Sequence, residues 1–472
     1  MLTAAGKSME TVSKNRLKRA LRFLSTHRPE LAVFLLGVVL RLSMSWNFHP
    51  LWSYDTDFHW AVVTWVAEHR EIPAPETLFE AFHPPLYYVL AAALTKLGVN
   101  RAGMAWLSIV PSILELAVIW AGLELYVTRS RVARVSALAL AAVTSALIHL
   151  GGMVYPESLN CFLNAVILLV VPLVFRRQGA DRWLPAMLVG VLFGLAMLTK
   201  ISGAATILAV GVGVLLEFAF SRRPFARRAS NALAWLASIV VCVAVSGWYF
   251  GRNVREYGTP FVTSFTLPSQ EWLVATAEQK PLVDRRPLGF LFGWDRSLYV
   301  HPFRLPETGT HERLFPVAIA STFIDFWGYG YAGFDHPYAR RRGGMREQYE
   351  TLGIARGAMA GGTVVFFAAA LAWVAAARRT LRFRDFGRLT VILAPLSMLV
   401  ATIQFATAYP VDLYGVVKGI YMSFGAPPLY AAFGIATGWA ARSPRRLPVL
   451  VLLMASLVAI AIYSIDCRLL PL

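Results

Sequence analysis

Apolar runs near 29–47, 103–126, 132–150, 157–175, 183–199, 201–220, 229–250, 355–377, 389–409, 419–440 and 448–465 punctuate the chain almost from end to end. Each is close to the ~20 residues that a helix needs to cross a hydrocarbon core about 30 Å thick. Lipid offers the backbone no hydrogen-bond partners, so each run must satisfy its own peptide groups. The pattern predicts an all-α polytopic membrane protein with about 11 transmembrane helices. Composition agrees: 57% of the 472 residues are hydrophobic and only 15% are charged, a balance that a water-soluble domain of this size could not spread over its surface.

The net charge of +18 would suit a nucleic-acid binder, but position argues otherwise. Basic clusters at 14–28 (Lys14, Arg16, Lys18, Arg19, Arg22, Arg28), 129–134, 176–182, 222–228, 378–388 and 442–446 fall in every second connection. That alternation is the positive-inside signal of membrane topology. It predicts a cytoplasmic basic N-terminus over 1–28, a transmembrane core over 29–250 and C-terminal transmembrane helices over 355–472. The segments 48–102, 151–156, 251–354 and 410–418 then lie outside, together with the C-terminus, and no nucleic-acid partner is expected. The run after the basic stretch is too long for a cleaved signal peptide and lacks a small-residue cleavage site, so the first span is expected to persist. Cys161 and Cys242 lie in predicted spans and only Cys467 reaches the outside, which leaves no disulfide framework.

Two outer segments are longer than mere connections require, and loops of this length usually carry function. The first, 48–102, holds Asp55 and Asp57 directly after the first span, an amphipathic stretch at 57–70, and His83 before Pro84 and Pro85, which open a short helix over 84–98. At 15 residues that helix is predicted to lie along the interface. The second, 251–354, is a large extracytoplasmic loop with aromatic residues concentrated at 323–334; Phe323, Phe326, Trp327 and Tyr331 share helical spacing. Trp294, Tyr299 and Tyr329 add to its aromatic content, which reads first as an interfacial belt.

Ionised groups are costly in lipid, so an acid pair placed where a helix leaves the bilayer is a candidate catalytic centre. Glycosyl transfer passes through an oxocarbenium-like state, and an inverting transfer needs a carboxylate that takes the acceptor's proton. Asp55 is the candidate base, with Asp57 and Glu157 as further catalytic acids; the competing reading of Asp55 is a helix N-cap. A departing lipid phosphate needs cations. Lys200, Arg252, Arg255 and Lys418 all fall near outer helix ends, against the positive-inside trend. Lys200 must bind an anion or pair with an acid such as Glu157. An Asp-x-Asp pair could also hold a divalent cation such as Mg²⁺ or Mn²⁺ through Asp55 and Asp57. Gly343-Gly344 and Gly361-Gly362 lack phosphate-loop spacing, which argues against a nucleotide-sugar donor.

Several motifs carry a resemblance: Asp55 after the first span, His83-Pro84-Pro85-Leu86-Tyr87-Tyr88, Tyr155-Pro156-Glu157, the stretch Gly194 to Lys200, Gly247-Trp248-Tyr249 followed by Arg252-Asn253, Tyr257-Gly258 and Pro260, and Lys418-Gly419-Ile420-Tyr421-Met422. In this order, over residues 30 to 430, the chain resembles the GT-C glycosyltransferases of the protein O-mannosyltransferase and lipid A aminoarabinose transferase type (families 39 and 83). The resemblance implies a GT-C fold, a polyprenyl-phosphate-linked sugar donor, an extracytoplasmic acceptor that is a glycolipid, glycan or protein, and a site facing the periplasm from a bacterial inner membrane. It implies a carrier-phosphate role for Arg255, with Arg252 a turn earlier, and places His83 where the aminoarabinose transferases carry a phosphate-binding Lys. Thr56 stands where relatives often follow the leading Asp with Glu. Two other classes share the composition. A lipid-linked-sugar transporter would gather its charges near the bilayer midplane, and a non-catalytic subunit of a glycan-assembly complex would not need the acids.

Overall fold

The computed structural model describes residues 25–47, 55–100, 103–127, 130–177, 179–263, 267, 288–294, 296–300, 302, 313–324, 344–408 and 417–469. Among these the secondary structure is helical throughout, without a strand. The principal helices are α1 Arg28–Asn47, α2 Thr56–His69, α3 Leu86–Lys96, α4 Ala105–Gly122, α5 Arg131–Val143, α6 Ser145–Gly152, α7 Glu157–Arg176, α8 Trp183–Thr199, α9 Gly203–Phe220, α10 Phe225–Tyr257, α11 Leu314–Phe323, α12 Gly344–Phe383, α13 Phe386–Ala408, α14 Pro427–Ala440 and α15 Leu447–Leu469. Among the described residues, eight helices are long and apolar enough to cross a membrane, nine if the bent pair α5/α6 counts as one span. The other two expected spans fall on the shorter α8, with 17 residues, and α14, with 14. Helix length alone therefore supports eight or nine spans rather than eleven. Most of the aromatic patch at 323–334, including Phe326, Trp327, Tyr329 and Tyr331, lies outside the described residues, as does Gly343.

Two apolar cores hold the bundle. One joins α1, α4 to α6 and α11 to α15 through residues such as Leu40, Leu147, Val317, Ala358 and Phe433. The other joins α7 to α10 and α13 through Ile167, Val189, Phe193, Trp235 and Leu389. Outward-facing Leu208, Leu215, Val240, Val243 and Val451 stay exposed, the inverted surface expected where the solvent is lipid. Small residues let helices approach closely. A Cβ on Gly194 of α8 would lie 2.6 Å from Val245 of α10, and on α14 a Cβ at Gly434 would lie 2.8 Å from Ala137 and one at Gly438 2.9 Å from Ala133, both on α5.

A break in α5/α6 shapes the outer end. The two helices bend by 48° at Thr144. An ordinary helix end leaves its last four carbonyls without partners, and in lipid each is costly. Here each has a donor. Thr144 Oγ1 donates to Leu140 O at 2.7 Å, Arg41 Nη2 to Ala141 O at 3.5 Å, Arg41 Nη1 to Ala142 O at 3.3 Å, and Ser464 Oγ to Val143 O at 2.7 Å. The buried Arg41, further held by Ser112 Oγ at 2.8 Å, is thus a clasp between α1, α4 and the break. The bend delivers the segment Met153–Pro156, which opens α7 with the buried Glu157.

The helices α2 and α3 form a small separate core with Val62, Val63, Tyr87, Tyr88 and Val154. α10, at 33 residues, is about 50 Å long, well beyond one bilayer core. Its C-terminal end meets the segment before α3: Tyr249 Oη donates to Phe82 O at 3.1 Å and Tyr257 Oη to Glu76 Oε2 at 2.8 Å.

Candidate active site

Asp55 immediately precedes α2, at φ 63°, in left-handed backbone that L side chains rarely adopt. Arg70 and Arg384 share this conformation, but both follow helix ends, where it is common. Asp55 opens a helix and makes no capping bond with its side chain. Its carboxylate, 28% exposed, instead faces Lys418 Nζ at 3.8 Å. Such strain, of the order of 1–3 kcal/mol, persists only where surrounding structure imposes it. Asp57 lies in the first turn of α2 and is exposed.

Lys418 sits in extended backbone before the short helix Gly419–Met422. Gly419 N donates to Ser321 Oγ of α11 at 2.8 Å, and a Cβ at Gly419 would come within 2.6 Å of Thr322 Oγ1. Only glycine permits this approach, which fixes the neighbouring Lys418. The Lys418 ammonium is 5.2 Å from the ring centre of Tyr421, and the Lys200 ammonium is 4.6 Å from the same ring. Lys200 follows α8, packs over Tyr155 at 5.1 Å and pairs with the buried carboxylate of Glu157. Asn160 Nδ2, one turn along α7, completes Glu157 by donating to Oε1 at 3.3 Å. Of the two roles open to Lys200 in the sequence, pairing with Glu157 is the one the structure displays.

Beside this ring of charges lies a second group. His59, Glu80 and His83 present ligand atoms all within 4.8 Å of one another. His83 Nε2 is 2.9 Å from Glu80 Oε2; His59 stacks on His83 and meets Tyr155 edge-on with ring centres 4.5 Å apart. Burial, aided by the Lys200 charge, holds the His83 imidazole down at about 3, and burial pushes the Glu80 carboxyl well above its usual range, with nearby Asp55 adding to the rise. His59 is likewise held well below its ordinary value by burial and by the neighbouring His83 and lysines. The shifts at His83 and Glu80 both follow from burial, which disfavours the charged form of each side chain.

Arg252 stacks over Tyr249 at 4.9 Å and pairs with Glu256 at 3.7 Å, while Arg255 is exposed in the last turn of α10. Among the described residues no hydrogen bond or ion pair joins Arg255 to the Asp55 cluster. Asp57 is exposed, and the group with metal-ligand geometry among the described residues is His59, Glu80 and His83. Glu80 and Asn160 escape the sequence reading. Their signals were present as three-residue helical spacings, Glu80 to His83 and Glu157 to Asn160, each pairing an inconspicuous residue with a motif residue.

Both conspicuous acids and both lysines lie at one end of the bundle. At the other end of α9, about 27 Å away by helix rise, Arg223 bonds Glu217 at 2.6 Å and Asn231 bonds the same carboxylate at 2.8 Å. Near the start of α1, Arg134 joins Glu30 at 3.2 Å and Glu124 at 2.9 Å.

The helices share the fold of the GT-C class of membrane proteins, and one end of the bundle carries the charged group around Asp55. Within that class, the family described as dolichyl-phosphate-mannose-protein mannosyltransferase matches residues 82–249, from just before His83 to Tyr249. The Archaeoglobus fulgidus oligosaccharyltransferase AglB, in complex with an inhibitory peptide and a dolichol-phosphate, superposes with a TM-score of 0.57 at 13% identity over 94% of this chain and 56% of that one. The same organism's enzyme with Zn and sulfate gives 0.53 at 14% identity, over 92% and 53%. This chain thus spans just over half the length of these relatives. ArnT from Cupriavidus metallidurans, bound to undecaprenyl phosphate, covers 89% of this chain and 79% of its own at 15% identity, with a TM-score of only 0.37. No curated protein sequence matches the chain.

Proposed function

We propose that the chain is a glycosyltransferase that moves a sugar from a polyprenyl-phosphate carrier to an acceptor on the outer side of a bacterial inner membrane. The observation that carries the reading is the Asp55 carboxylate: partly exposed, in strained backbone that does not serve capping, and facing a buried lysine at the mouth of a GT-C bundle. Asp55 accepts the proton of an acceptor hydroxyl as the freed oxygen attacks the anomeric carbon. The bond from that carbon to the phosphate oxygen breaks, its electrons leave with the polyprenyl phosphate, and the anomeric configuration inverts. Lys418 and Lys200, within reach of one tyrosine face, offset the charge that develops on the phosphate. Arg252 and Arg255, nearer the bilayer surface, guide the carrier's headgroup. A divalent cation would assist phosphate departure as a Lewis acid.

The test is sugar transfer from a radiolabelled polyprenyl-phosphate sugar by purified protein. Asp55→Asn keeps the shape but cannot take a proton, so turnover is expected to fall about 10²–10⁴-fold with carrier affinity preserved. Asp57→Asn, at an exposed position, is expected to lose far less. An Asp55→Asn protein with full turnover would remove Asp55 as the base and pass the role to Glu157.

A further inference from the structure

Sequence placed metal binding, if any, on Asp55 and Asp57. The structure gathers a different set. His59 comes from the first turn of α2, and Glu80 and His83 from the turn before α3; their ligand atoms lie within 4.8 Å. His59 is wholly buried and Glu80 is 4% exposed. Tyr88 Oη and His59 Nδ1 are 2.7 Å apart, a bond that engages Nδ1 and leaves Nε2 as the other ring nitrogen. Among the described residues, no hydrogen-bond partner reaches that buried Nε2. A buried ring nitrogen without a partner costs free energy comparable to a lost hydrogen bond, so the arrangement calls for an occupant.

The chemistry of the set selects that occupant. Two imidazole nitrogens and one carboxylate suit a borderline divalent cation and leave a coordination position open, whereas Mg²⁺ favours oxygen ligands. A histidine ligand held through its other ring nitrogen is the usual support of such a site. The shell is also rigid: His59 lies between the His83 face and the Tyr155 edge, and the Glu80–His83 turn is tethered to α10 through Tyr249 and the Phe82 carbonyl.

We propose that His59, Glu80 and His83 form a binding site for a borderline divalent cation, Zn²⁺ foremost, beside the Asp55 carboxylate. The site ties α2 to the turn that precedes α3 and stands independently of the glycosyltransferase reading.

The test uses the full chain purified in detergent without chelator. Elemental analysis is expected to find about one equivalent of zinc per chain, and Co²⁺ added to stripped protein should give the intense visible absorption of a low-coordinate nitrogen–oxygen site. Glu80→Gln and His83→Asn should each lower bound zinc at least tenfold and abolish the rise in melting temperature on adding Zn²⁺. His59→Asn should do the same; because His59 is fully buried, the two other variants carry the conclusion if it fails to fold. Asp55→Asn and Asp57→Asn should keep the metal. Stripped wild type that takes up neither Zn²⁺ nor Co²⁺ overturns the proposal, as does metal lost in the Asp variants but kept in Glu80→Gln. These readouts are independent of sugar transfer, so failure of the metal site and failure of the proposed activity are told apart.

Discussion

Lys200 and Glu157 are fixed to one another deep in the outer mouth, with side chains 11% and 0% exposed. Removing one partner of a buried pair leaves an uncompensated charge, at a cost of about 3–5 kcal/mol, whereas replacing both can be nearly neutral. Lys200→Met alone is therefore expected to lower the melting temperature and the yield of folded protein. The double variant Lys200→Met/Glu157→Gln should recover stability in thermal unfolding. If Lys200 also meets the carrier phosphate, the stable double variant will still show a raised KM for the lipid-linked sugar; wild-type kinetics would make the lysine a structural cation only. Residue-scale legibility was uneven. Asp55, Glu157, Lys200 and Lys418 stand out in the sequence because charge is rare among apolar runs, and the structure gathers all four. Glu80 was invisible because an acid in a hydrophilic loop draws no notice until burial shows its surroundings. Arg255 stands out for the same reason as the lysines, yet the fold leaves it at the surface.

Elements were more readable than their joints. Every apolar run became helical because lipid permits a spanning backbone little else, though 132–150 and 419–440 did so in pieces. The break at Thr144 has no sequence mark: no proline or glycine stands there, and its stability rests on four donors from three residues, Thr144, Arg41 and Ser464. Close helix seams were equally hidden, since Gly434 and Gly438 four residues apart do not say which helix they face. Packing supplies the answer, Ala133 and Ala137 of α5. Gly434→Leu should consequently force α14 and α5 apart and destabilise the protein by about 1–3 kcal/mol or more. Gly211→Leu, on an exposed face of α9 with nothing within 4 Å of a new Cβ, should melt like wild type. Scanning fluorimetry in detergent compares the two, and equal melting would mean the α5–α14 seam is looser than described.

At the scale of the whole molecule, the positive-inside pattern makes a prediction about which bundle end faces outward. The Asp55 mouth lies at one bundle end and the Arg223–Glu217 and Arg134–Glu30 pairs at the other, where the arginine-rich connections are. A cysteine at exposed Thr77 is expected to react with an impermeant thiol reagent in intact spheroplasts, with Cys467 replaced by Ser to clear the background. One at exposed Arg222 should react only after permeabilisation. The reverse pattern would place the mouth in the cytoplasm and end the proposed function with it. The class of fold was legible at this scale because span, charge alternation and loop length are all properties of sequence; the acceptor was not, because loop residues carry no readable code for lipid, glycan or protein.

The length of α10 has a mechanical side. A rod of 33 residues is longer than one hydrocarbon core is thick, and its last turns carry Arg252, Arg255 and Glu256. Its projecting end grips the first loop at Phe82 and Glu76, flanking the turn that bears Glu80. Two tyrosine hydroxyls of one long helix thus hold the loop that bears Glu80, so any tilt of that helix would carry the turn with it.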